Sequence, residues 1–357
     1  MSENRYAIVD LVAFGAGLLA QAGMEREKAQ RVAELLVETD AMGRRTHGLA
    51  LLPLYLSDIA KGSMTLEGSY EIVSDRGAAL VIDARRLPGL WLMDQAISLA
   101  ASRVASHGVV SIAIRRSHHI GCLATLTRLA TDRGLVATIA NSEPSAKRVA
   151  PYGGKEALFT PNPFAFGYPG QDHPVLVDIC ASITTTSMTR TKHALGERFE
   201  HKWLLDGDGR ATDDPAVLEH TEPRGSLQLI GGQEYGHKGF GLALMIEALS
   251  QGLSGYGRAD KPVQWGGGNV FLQVLDPDFF AGRDEFQRQT GFFGDACRAN
   301  PPVDPARPVR LPGDEAARLR RAAMRDGIAY APVVWRPLAE AAKSLGVSLP
   351  ASRAAGG

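Results

Sequence analysis

The sequence predicts an α/β protein, a sheet with covering helices, flanked at both ends by helical segments. Two observations carry this. From Val109 onward, short β-branched runs alternate with stretches of helical periodicity, the pattern of strands connected by helices. Before residue 62 and after residue 314, apolar residues recur at helical spacing instead.

Taken in order, Ala7–Met24 places Ile8, Leu11, Val12, Gly15, Leu18, Leu19 and Ala22 on one helical face. A second helix fits Glu25–Thr39, with Ala29, Val32, Ala33 and Leu36 together. A break follows at residues 43–48, and a third helix then runs to about Lys61, where Gly62 can cap it. Tyr70–Val73 and Ala79–Ile82 read as strands, and Trp91–His107 as a helix closed by Gly108. Val109–Ile114, Leu135–Ala140 and Val175–Asp178 are strand runs, with a helix at Gly121–Arg133. Phe240–Gly255 is helical, with Leu242, Met245, Ile246, Leu249 and Leu253 on one face. Residues 300–312 carry five prolines and read as an extended connection before helices at Glu315–Asp326 and Pro337–Leu345.

Composition narrows the function classes. Thirty-nine Lys and Arg balance 39 Asp and Glu over 357 residues, which argues against a nucleic-acid or polybasic membrane binder. Three cysteines without CxxC spacing point to a reducing compartment. The apolar run at residues 7–24 lacks a basic leader and is interrupted by Asp10, so it reads as a helix rather than a signal peptide. No other apolar stretch reaches the ~18 residues of a membrane span. A cytoplasmic protein with no membrane or nucleic-acid partner is expected.

Residues 15–20 fit GxGxxA, but helical periodicity runs through the glycines and no strand precedes them, so a dinucleotide fingerprint is not expected there. Four other places carry polar groups suited to chemistry. Thr46-His47-Gly48 lies at the break between two helices. Ser117-His118-His119-Ile120-Gly121 follows a strand, where α/β sheets bind ligands, although a loop histidine bonded to backbone is an equal reading. Asn141-Ser142, with Pro161-Asn162-Pro163 and Asp178 through Ser182, also falls at strand ends; Asp178 could equally be an N-cap. Gly236-His237-Lys238-Gly239 would open the long helix, where Lys238 and free amides would favour an anion. No HExxH or GxSxG occurs, and no metal is expected. Two histidines near an anion site suit carbonyl reduction, where a donor working near neutrality is needed.

These segments together resemble the malate/L-lactate dehydrogenase family, which also holds ureidoglycolate dehydrogenase, diketogulonate reductase and piperideine-2-carboxylate reductase. The carrying segments are Asp40-Ala41-Met42-Gly43 with Thr46-His47-Gly48, then Ser117 to Gly121, and Val149 to Gly154. Asn162-Pro163, Trp203 with Asp206 to Gly209, Asp214-Pro215, His237 to Leu242 and Leu311 to Glu315 complete them.

The resemblance implies a non-Rossmann NAD(P)-binding mixed sheet with covering helices, plus a helical lobe formed by the N- and C-terminal segments. Residues 1–75 would pack with 315–350, residues 76–314 would form the central cofactor lobe, and 351–357 would be a frayed tail. It further implies a homodimer that interconverts 2-oxo and 2-hydroxy acids with NAD or NADP. His47 and His119 would be catalytic. Ser142, Asn162, Asp178, Cys180, Ser182, His237, Lys238, Gly313 and Asp314 would hold the cofactor.

Thr46, Arg45, Leu51 and Tyr55 would face the small carboxylate substrate. Leu51 stands where many relatives have a carboxylate-gripping Arg, so monocarboxylates with bulky tails are expected over dicarboxylates. The alternatives are a reductase of cyclic imino acids and, from another class, a non-catalytic ligand-binding protein. The last is suggested by the departures at Leu51, Pro161 and Met188.

Overall fold

The structure, a computed structural model, describes residues 4–219, 221–262 and 267–353. β1 (Arg5–Tyr6) leads into α1 (Ile8–Gln21), α2 (Arg26–Ala41) and α3 (Leu52–Ala60). The hairpin β2 (Glu71–Asp75) and β3 (Ala79–Asp83) is followed by α4 (Gly89–His107), β4 (Val109–Ser117), α5 (Leu123–Thr131) and β5 (Val136–Ser142). Next come β6 (Pro163–Tyr168), β7 (Val175–Cys180), α6 (Thr186–Ala194), β8 (Leu204–Leu205), β9 (Ala211–Thr212) and β10 (Ser226–Leu227). The chain closes with α7 (Gly232–Glu247), β11 (Gly268–Leu275), α8 (Arg283–Ala299), α9 (Asp314–Asp326), β12 (Ile328–Ala329), α10 (Pro332–Leu345) and β13 (Ser352–Arg353).

The central sheet has seven strands in the order β2-β3-β4-β11-β5-β6-β7. Only β3 and β4 pair in parallel, so the sheet is mixed. β4 and β5, joined through α5, are not neighbours: β11 lies between them, antiparallel to both. The sequence reading had no strand at β11 or β6 and no helix at α8.

α4 and α5 cover one face of the sheet. Their apolar sides merge with α1, α2 and the C-terminal helices into one large core, from Tyr6 through Ile112 and Leu272 to Ala342. A second, smaller core gathers Val149, Phe159, Phe199, Leu204, Leu227 and Ala243. The expected boundary at residue 75 therefore falls within the β2–β3 hairpin, and the central segment is shared between two cores.

Four other expectations change. Residues 351–353 are not frayed: β13 pairs with β1, which also pairs with β12, so both chain ends share a three-stranded sheet. Residues 354–357 lie outside the described residues. α10 begins at Pro332, with Pro337 inside it. α7 begins at Gly232 rather than Gly236, because Gly231 and Gly232 take positive φ and turn the chain into it. On the face expected to be apolar, Ile246 is buried and Leu242 and Leu249 are packed, but Met245 and Leu253 remain exposed. Among the described residues, no helix is long and apolar enough to cross a membrane.

Candidate active site

His119 sits in the loop between β4 and α5, beyond the end of a central strand. Its Nδ1 meets the Tyr55 hydroxyl at 2.9 Å and the Gly121 N–H at 3.2 Å. An amide N–H can only donate, so Nδ1 is an acceptor and the neutral ring carries its proton on Nε2. Burial, with further contributions from His47 and His118, pushes the His119 pKa down to about 3. Tyr55 comes from α3, is 2% exposed, and is held as a neutral phenol because burial raises its pKa. Beside it His118 is buried, with Nε2 3.2 Å from the Asp58 carboxylate.

His47 lies in the turn between α2 and α3, its Nδ1 2.8 Å from the Thr46 hydroxyl. The two imidazole rings are 6.2 Å apart between centroids and inclined by 21°. Both residues keep partial exposure, so each has an edge open to a ligand. Burial lowers the His47 pKa; Asp178 acts against this and Arg44 adds to it. Asp178 is thus a neighbour of His47 and also a remote helix cap. Its Oδ2 accepts from the Ala124 N–H at 3.0 Å in the first turn of α5, and from the Cys122 thiol at 3.4 Å. Burial pushes that thiol up to about 11.

The adjacent arginines differ. Arg45, expected at the substrate, instead donates to the Ala329 carbonyl at 2.9 Å and lies over the Tyr330 ring. The Arg44 guanidinium makes no hydrogen bond or ion pair among the described residues. It lines a cleft of about 520 Å³ with Met42, Gly43, Ala124, Leu176 and Gly313. Mixed polar and apolar walls that include the Arg310–Glu315 ion pair, glycine backbone and the unpaired Arg44 guanidinium give it room and charge for an anionic group. Leu51 packs against the main core.

The remaining expected cofactor residues separate into distinct surroundings. Gly313 borders the cleft, but the Asp314 carboxylate is taken up by Arg298, the Leu311 N–H and His173. The Ser142 hydroxyl and the Asn162 amide do not point to a free site: both bind Glu247 Oε1, at 2.6 and 3.0 Å, in a buried polar knot with Gln251 and Arg258. The Cys180 thiol donates to Ser182 O, and the Ser182 hydroxyl donates to Thr184 O. His237 and Lys238 lie one turn inside α7, so the amides near them serve the helix rather than an anion. The glycine there has another purpose, since a Cβ at residue 239 would meet the backbone of Ile230 and Ala181. The Lys238 ammonium stands 5.1 Å over the Tyr235 ring on an exposed face.

The sequence reading missed Asp58 as the partner of His118 and Cys122 as a donor to Asp178, but it named Arg44 together with Arg45, just before His47, as residues that could grip a carboxylate.

A seven-stranded mixed sheet with two facing histidines, and a cleft at neighbouring Arg44, suits the class of a nicotinamide-dependent oxidoreductase outside the Rossmann architecture. The malate/L-lactate dehydrogenase family matches residues 7–339, and the chain belongs to it. It is 32% identical to an L-lactate dehydrogenase of Cupriavidus necator over 340 residues, covering 93% of this chain and 95% of that one. It is 28% identical to hydroxycarboxylate dehydrogenase B of Escherichia coli K12 over 352 residues, covering 97% and 96%. The solved delta1-piperideine-2-carboxylate reductase of Pseudomonas syringae pvar. tomato superposes with a TM-score of 0.82 at 26% identity, covering 94% of this chain and 99% of that one. The protein is a 2-hydroxy acid dehydrogenase that uses NAD or NADP.

Proposed function

We propose that the enzyme interconverts monocarboxylic 2-oxo acids bearing bulky tails with their 2-hydroxy acids, using His47 as proton carrier and His119 as a fixed hydrogen-bond donor. The observation that carries the reading is the pairing of Tyr55 and the Gly121 N–H on His119 Nδ1. It leaves Nε2–H to bind and polarise a substrate carbonyl. The depressed pKa keeps that ring neutral throughout the working range.

Bound NAD(P)H supplies the hydride. His47 gives its proton to the carbonyl oxygen in reduction and takes it back from the hydroxyl in oxidation. Thr46 orients the His47 ring through Nδ1, and Asp178 stabilises the imidazolium. Arg44, Met42 and Gly313 would hold the cofactor in the cleft beside His47. Lys238, exposed and with no ion pair among the described residues, is read as a further cation for the cofactor.

With leucine at position 51 and Arg45 bonded to Ala329, a second carboxylate has no cation reserved for it. A bulky tail would instead bury apolar surface, worth about 25 cal/mol per Å². Similarity to the piperideine carboxylate reductase favours a second reading, reduction of cyclic imino acids, in which the proton goes to nitrogen. Cofactor oxidation against phenylpyruvate, oxaloacetate and cyclic imino acids, with NADH and NADPH in parallel, tests both. If oxaloacetate wins over phenylpyruvate by about tenfold in kcat/KM, the argument from Leu51 fails. We read the protein as a homodimer. Exposed Leu244, Met245 and Leu253 along α7 and the turn after it support this, and sedimentation tests it.

A further inference from the structure

We propose that Asp40 and Tyr330 are positioning residues that clamp the turn carrying His47 against the C-terminal segment. The inference rests on the reading of His47 as the proton carrier. Asp40 stands in the last turn of α2 and is 1% exposed. One carboxylate oxygen, Oδ2, accepts from the Leu49 N–H at 2.8 Å and from the Tyr330 hydroxyl at 2.7 Å. The carboxylate lies so close to Gly48 that a Cβ at residue 48 would overlap it. On the other side of His47, Arg45 donates to Ala329 O and covers the Tyr330 ring at 5.5 Å.

The residues before Thr46-His47 are therefore tied to Ala329 and Tyr330 through Arg45, and those after it to Tyr330 through Asp40. That segment is firm. β12 pairs with β1, and Tyr330 packs on Trp335, which stacks on Tyr6 at 4.2 Å.

A purely structural role fits poorly. The second oxygen of Asp40 is buried with no hydrogen-bond partner among the described residues. A buried carboxylate with an unpaired oxygen costs stability, which an amide or apolar residue would recover. What this carboxylate secures is the backbone that follows His47, at a place where small displacements cost rate.

Tyr330→Phe in the full chain tests the clamp. It keeps the ring beneath Arg45 and beside Trp335 and deletes one hydroxyl. The expected result is a fall in kcat of about tenfold, with cofactor KM changed by less than about twofold. The His47 ring signals should shift in NMR spectra, and the Leu49 amide should exchange faster, with the unfolding midpoint little moved. These two readouts need no substrate, so they stand even if every acid tried is refused and the proposed reaction fails. Unchanged His47 signals and Leu49 exchange would overturn the clamp. If Tyr330→Phe does not fold, the Asp40 pair decides. Asp40→Asn, which keeps an acceptor for Leu49 and a partner for Tyr330, should retain about tenfold more kcat than Asp40→Ala. Equal rates for the two would overturn the proposal.

Discussion

The proposed division of labour between the histidines fixes how rate should depend on pH. His119 is pushed to about 3, so at pH 7 only about one molecule in 10⁴ would carry a protonated His119. His47 is lowered by burial but opposed by Asp178, so it titrates below its ordinary 6.5. If His47 is the acid, kcat/KM for reduction is level below its pKa and falls tenfold per pH unit above it. Oxidation needs the neutral ring and shows the mirror image, rising through the same pKa to a plateau at neutral pH. If His119 were the acid, reduction would keep rising tenfold per unit as pH drops from 5 to 4. The assay is cofactor absorbance under kcat/KM conditions from pH 4.5 to 8.5, in both directions, with folding monitored at each pH. Replacing Tyr55 by Phe leaves Gly121 as the fixed donor to Nδ1, so the limb should stay in place while kcat falls. A reduction limb that persists unchanged in His47→Gln would refute the assignment.

His47→Ala should lower kcat by about 10²–10⁴-fold, and near-normal turnover would remove His47 from proton transfer. Lys238→Ala should raise cofactor KM more than it lowers kcat, as expected of a cation that grips the cofactor without taking part in proton transfer; an unchanged cofactor affinity would exclude it from the site. Asp40→Asn should stabilise the fold at neutral pH. Burial pushes Asp40 from 3.8 up to about 6, so the folded state binds its proton more tightly than the unfolded state. Wild-type stability from this group therefore rises as pH falls from about 6 toward 4, and its charge at pH 7 costs about 3 kcal/mol. Urea unfolding at pH 7 and 4.5 should show the advantage of the variant shrinking by about 2 kcal/mol at the lower pH.

Much of the site's chemistry was legible in the sequence, because it depends on local rules. The break between α2 and α3 and the loop after β4 stood out as polar groups at element ends, and both histidines lie there. Tyr55, expected one turn beyond Leu51 to face the substrate, is buried and meets His119 instead. The glycines around Lys238 misled, because close packing of a helix on its neighbouring backbone and approach to a phosphate call for the same residue. Arg44 and Arg45 could not be told apart, since what occupies Arg45 is a carbonyl 284 positions away. Tyr330 reaches Asp40 across 290 positions and left no local trace. Ser142 and Asn162 read as free polar groups, because their partner Glu247 lies on a helix more than 80 residues further on.

The place of β11 in the sheet has a bearing on how the chain is made. β4 and β5 emerge from the ribosome early, yet the strand that joins them is complete only at Leu275. Until then the nascent chain holds two half-sheets, each with an open edge where β11 will dock. Open edges of apolar strands recruit other chains, so this interval is when the protein is most exposed to misassembly. Closure of both chain ends comes later still, since β1 waits for β12 and β13. Synthesis rate and chaperone supply, more than the stability of the finished fold, should therefore govern the yield of active enzyme.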